Sequence, residues 1–135
     1  MKVGAKRRKG YAHSLTVGHH SLIADEPRDK GGTDAGPSPA QLLALSLASC
    51  TAITIEMYAN RKGWDVGDLE VEVDYELGKG ELPTRYDVVI KLPGDLSDDQ
   101  VESLRAIARK CPVHRALTGE VEINDQVERV PAALT

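Results

Sequence analysis

The sequence predicts an α+β domain with antiparallel sheets around a long central helix, on three observations. Strand-like alternation falls in two blocks, over 11–23 and 69–90, with helical stretches between and after them rather than in repeating βα units. The central helical stretch has no charged residue from Leu42 to Ile55. A chain of 135 residues holds one modest core, which favours a single domain over 1–135.

In the first block Tyr11, His13, Leu15 and Val17 share one strand face. Gly18-His19 supplies a turn, and Leu22 and Ile23 belong to a returning strand. The basic run Lys6-Arg7-Arg8-Lys9 solvates an edge strand or a terminus. Residues 26–37, with three Gly and two Pro, read as a loop long enough for a functional segment.

Ser38-Pro39-Ala40-Gln41 opens a helix: Ser38 caps, Pro39 suits the first position, and Gln41 completes a capping box. The helix runs to about Lys62, where Gly63 offers a stop. Apolar on nearly every side, it must be covered on nearly every side. One small domain struggles to enclose a rod of roughly 36 Å, so a second copy of the chain is the simplest cover.

Leu69, Val71, Val73, Tyr75 and Leu77 alternate with acidic residues as a strand with one wet face. Gly78-Lys79-Gly80 begins a turn to a partner strand carrying Tyr86, Val88 and Ile90. Ser97-Asp98-Asp99-Gln100 caps an amphipathic helix whose inner face holds Val101, Leu104, Ile107 and Ala108. Cys111-Pro112 breaks it, and a short helix follows through Leu117 to Gly119. A last strand with Val121 and Ile123 precedes a loose tail.

Composition narrows the function. A net charge of −4 leaves no footprint for nucleic acid. No unbroken apolar run reaches 18 residues, so no membrane span is expected, and the start lacks a signal peptide's apolar core. The expected setting is therefore cytoplasmic, where two cysteines are reactive, metal-bound or buried thiols rather than a permanent staple. His13, His19, His20 and His114 lack the close paired spacing of a zinc motif, so neither a metal nor another cofactor is expected. A hydrolase is disfavoured by the lack of a nucleophile elbow.

Cys50 lies mid-helix with Ser46 and Thr54 one turn either side. Such a polar stripe marks a site, or else hydroxyls bonded back to the preceding turn beside a core cysteine. Cys111, before Pro112, sits at a helix start with His114 and Arg115 close by. There the macrodipole favours a thiolate, unless the side chain only fills a junction. Together the thiols suggest a peroxidatic and resolving pair, which needs Cα atoms within about 7 Å.

The segments GGTDAGPSPAQLLALSLASCTAITIEMYANRKGW and KCPVHRALTGEVEI resemble the OsmC/Ohr family of osmotically inducible and organic hydroperoxide resistance proteins. The resemblance spans about His13 to Ile123. It implies an intertwined homodimer whose long helices pack back to back, with sites built from both subunits. It further implies that Cys50 attacks an organic hydroperoxide and Cys111 resolves it as an intramolecular disulfide, with a dithiol reductant, in several members lipoyl-type. Two departures place the chain in a divergent branch. The better-studied peroxidases carry Glu just after the helix-opening proline, where this chain has Ala40 followed by Gln41. They also use an Arg from the first hairpin turn, which here reads Gly18-His19-His20. His19, His20, Arg28 and Gln41 are the candidates to bind substrate or stabilise the thiolate in their place. The alternative is a non-catalytic dimer that binds a small apolar ligand in the interfacial cleft.

Overall fold

The structure, a computed structural model, describes residues 1–131. The elements run β1 (Val3–Lys9), β2 (Ala12–Val17), β3 (His20–Ala24), α1 (Pro39–Lys62), β4 (Glu70–Leu77), β5 (Pro83–Lys91), α2 (Asp98–Ala108) and α3 (Pro112–Thr118). Strands β1, β2 and β3 form one antiparallel sheet in that order, and β4 pairs with β5 in a second. This is the α+β architecture expected.

The basic run forms most of β1, an edge strand that is exposed throughout. Tyr11 falls in the turn before β2 rather than on the strand. Leu15 lies opposite Leu22, and His13 opposite Ala24. These three strands pack chiefly on one another, whereas α1 packs on α2, α3, β4 and β5. In the second sheet Val71, Val73 and Tyr75 face Ile90, Val88 and Tyr86, so one face is apolar as the alternation required. The other face carries acidic residues, and Lys91 lies 2.7 Å from Glu72.

Both capping boxes form. Ser38 Oγ accepts from Gln41 N while Gln41 Oε1 accepts from Ser38 N, and Ser97 and Gln100 repeat the arrangement. Gly63 closes α1 with φ +71°, a conformation glycine adopts without a Cβ penalty.

The buried stripe of α1 is Ala44, Leu47, Thr51, Ile55 and Ala59. Ile55 and Ala59 meet Leu104 and Ala108 of α2 and Val66 in the core. The opposite stripe is not covered: Leu45, Ile53 and Met57 are 56%, 50% and 64% exposed. Complete burial of α1 is thus not reached within one chain. With its short polar interruptions admitted, α1 is also long and apolar enough to cross a membrane, which corrects the expectation drawn from unbroken runs. Its inner face packs on polar-capped helices and a wet-faced sheet, the setting of a core helix.

Residues 119–131 form no regular element, so the expected last strand is absent among the described residues. Val121 and Ile123 are 66% and 78% exposed. A strand needs a partner edge, and none among the described residues pairs with them. The tail expected beyond Ile123 is described only as far as Pro131, and 132–135 lie outside the described residues.

Candidate functional site

The helix junction brings the two cysteines together. Cys111 caps α3, with φ −64° and ψ 143°, and its Sγ accepts a hydrogen bond from His114 N at 3.3 Å. Pro112 at the first helical position makes that geometry natural, because its ring suits the helical φ and its missing N–H would have had no partner. Cys50, on the flank of α1, directly precedes Thr51, whose Oγ1 lies 3.8 Å from Cys111 Sγ, and so stands as a neighbouring group to the Cys111 thiol. Both cysteines are free thiols.

Their environments differ. Cys111 has 0% exposure, whereas Cys50 is half-buried. Burial pushes the Cys111 thiol above its ordinary pKa; the His114 N–H and the Thr51 hydroxyl act the other way, and the neighbouring Cys50 adds to the rise. The expectation that a helix start alone would favour a Cys111 thiolate is therefore reversed, because desolvation outweighs the donors that the helix start and Thr51 offer. Access leaves Cys50 as the thiol that meets solvent.

The polar stripe resolves differently from its expectation. Ser46 Oγ donates back to Leu43 O at 2.7 Å, the bland alternative for a helix hydroxyl. Thr51 is the hydroxyl that matters: it is 2% exposed and its Oγ1 lies 3.8 Å from Cys111 Sγ. The residue beside Cys50 in sequence thus touches the other cysteine. The four-residue recurrence Leu47, Thr51, Ile55 would have placed it on the buried face.

The remaining candidates are placed apart from the sulfurs. His19 and His20 are exposed at the β2–β3 turn, their rings 4.1 Å apart. Arg28 is exposed in a short 3-10 turn. Gln41 is held by its capping box. None forms a hydrogen bond to either thiol among the described residues.

The sequence also hid Asp25, just before the long loop. Its carboxylate accepts from Glu26 N, Thr33 N, Thr33 Oγ1 and Ala35 N, at 2.7, 3.1, 2.7 and 3.1 Å. The Thr33 hydroxyl, followed by the backbone N–H groups, holds its pKa at about 2. Gly36 packs so closely that a Cβ would lie 2.0 Å from Ile23 O. The glycines therefore serve a tightly wound loop, which an ion pair from Lys30 to Glu81 ties to the β4–β5 connection.

Comparison with known proteins agrees with this architecture. Residues 31–124 match the family described as OsmC-like protein. The chain is 26% identical over 106 residues to the uncharacterized protein YmaD of Bacillus subtilis, covering 72% of this chain and 71% of that one. Its fold is similar to that of a Psychrobacter arcticus protein named for osmotic stress and detoxification response, at 24% identity and a TM-score of 0.79, covering 86% and 87% of the two chains. It is also similar to the organic hydroperoxide resistance protein OhrB of Bacillus subtilis, at 24% identity and a TM-score of 0.55, covering 90% and 92%.

Proposed function

Because this chain belongs to the OsmC-like protein family, we propose that it is a thiol-dependent peroxidase acting on organic hydroperoxides through Cys50 and Cys111. The observation that carries this reading is a partly buried Cys50 set beside a fully buried Cys111 through the neighbouring Thr51, both as free thiols. The same family holds proteins named for organic hydroperoxide resistance.

The chemistry follows from the two environments. The Cys50 thiolate attacks the terminal oxygen of ROOH; the O–O bond breaks, and the alkoxide takes a proton and leaves as the alcohol. Cys111 then condenses with the Cys50 sulfenic acid, forming the disulfide and releasing water. A dithiol reductant, lipoyl-type in chemistry, attacks the exposed sulfur, and Cys111 departs toward His114 N and Thr51. The cycle needs no metal or other cofactor, and free thiols suit a reducing, cytoplasmic setting.

A homodimer belongs to the proposal. The stripe Leu45, Ile53 and Met57 supplies the apolar face, and β1–β3 stand clear of their own core, as an exchanged element would. In such a dimer His19, His20 or Arg28 of one chain reaches the site of the other, in the role of the family's hairpin arginine.

Consumption of cumene hydroperoxide with a dithiol reductant tests the reading. Wild type turns over, Cys50→Ser does not, and Cys111→Ser stalls as a sulfenic acid after one turnover. Equal turnover by wild type and Cys50→Ser would overturn it.

A further inference from the structure

At the C-terminal end of α1, where the chain turns toward β4, lies a cavity of about 420 Å³. It shares no lining residue with the cysteine site. Its volume is within the range of small-molecule sites. The inner lining is apolar: Val66 is buried in the core, and the half-buried Trp64 indole packs on that core beside it. Met57, from the outer stripe of α1, adds a thioether. Three polar side chains stand around this lining, the carboxylates of Glu56 and Asp65 and the amide of Asn60.

The arrangement of charge around the cavity points to what it takes. Arg61 and Lys62 directly follow Asn60, yet neither lines it. Both stand over the Tyr58 ring instead, 5.9 and 5.6 Å from its centroid. Glu56 and Asp65 form no ion pair among the described residues. One Asp65 oxygen accepts from Gly67 N at 2.8 Å, which holds the carboxylate in place and leaves its second oxygen for another donor. Every charged group on the lining is therefore acidic, and the wall behind is an aromatic face. Such a setting repels anions and selects a cation with an apolar body, held by charge at one end and by the indole along its length.

We infer that this cavity binds a small primary alkylamine in its ammonium form. The head has three N–H donors, which match Glu56, Asp65 and the Asn60 amide oxygen. The hydrocarbon chain lies along Trp64, Met57 and Val66. The inference goes beyond the peroxidase reading and does not depend on it.

Trp64 is the only tryptophan in the chain, so intrinsic tryptophan fluorescence reports on this wall alone. Hexylamine at neutral pH should shift the emission saturably, with affinity rising from ethylamine to hexylamine as methylenes leave water. Hexanol has the same body without the charge and should bind about tenfold more weakly, as two exposed ion pairs allow. Hexanoate should leave the emission unchanged. The double variant Glu56→Gln/Asp65→Asn keeps the acceptor for Gly67 N, so it should fold normally and weaken hexylamine about tenfold. Nα-acetyl-lysine amide carries the same head on a polar body and should bind more weakly than hexylamine. Because Met57 also belongs to the face proposed for dimerisation, the titration is repeated on Ile53→Asp, where the same affinity is expected. Absence of a saturable shift, parity of hexanol or of the lysine derivative with hexylamine, or indifference to the double variant would overturn the proposal. So would binding confined to Ile53→Asp, since a second copy would then occupy the cavity.

Discussion

Thr51 Oγ1 lies 3.8 Å from Cys111 Sγ, so the residue next to the half-exposed thiol in sequence supports the buried one in space. When Cys111 ionises or departs from a disulfide, this hydroxyl and the His114 N–H are the donors that meet its charge. Thr51→Val keeps the shape and removes the donor. Disulfide formation and reduction should each slow by about fivefold, the worth of roughly 1 kcal/mol for one hydrogen bond. Single-turnover oxidation of Cys50 should be unaffected, and Thr51→Ser should restore the resolving step. Stopped-flow kinetics that separate the two phases make the check.

The protonation of Cys111 sets a second expectation. Burial favours its neutral thiol, so its contribution to stability is full below the ordinary thiol pKa of about 8.5 and is lost as pH rises through the higher folded value. Resolution of the sulfenic acid should accelerate over the same alkaline range, because the thiolate is the attacking species. A resolving rate that is flat between pH 7 and 10 would contradict this assignment.

Asp25 gives the opposite pH sign. With its carboxylate held at about 2, it stabilises the fold above the unfolded value near 3.9, and that contribution disappears as pH falls through 2. Asp25→Asn should therefore lower the melting temperature at neutral pH, and the gap to wild type should close in acid. Gly36→Ala should also lower it, through the clash with Ile23 O, but by an amount independent of pH.

The outer stripe of α1 predicts the oligomeric state. Wild type should sediment as a dimer, and Ile53→Asp or Met57→Asp, placing a charge in the apolar face, should weaken association by at least a hundredfold. Sedimentation velocity across a concentration series decides. In contrast, Ile55→Ala or Leu104→Ala, each at a fully buried position, should cost about 2–5 kcal/mol of stability in urea unfolding.

Much of the fold was legible because its local signals agree. Capping boxes at Ser38 and Ser97, proline at the first helical turn and the alternation over 69–77 are each satisfied by neighbours within a few residues. What misled was non-local. The Val121 and Ile123 alternation is strand-like, but no edge among the described residues pairs with it. The helix start at Cys111 promised a thiolate, and tertiary burial reversed the balance. Thr51 and Asp25 went unnoticed because their meaning lies in partners brought up by folding: a sulfur on another helix and a loop wound around one carboxylate.

The full enclosure of Cys111 also decides how the protein would age. On the peroxidase reading, an excess of oxidant should reach the Cys50 sulfur and drive it past the sulfenic stage to sulfinic and sulfonic acids, from which no dithiol retrieves it. The enclosed sulfur is spared. Mass spectrometry of overoxidised protein should place every added oxygen on the Cys50 peptide, and a spent molecule should keep one intact thiol that titrates only once the chain is unfolded.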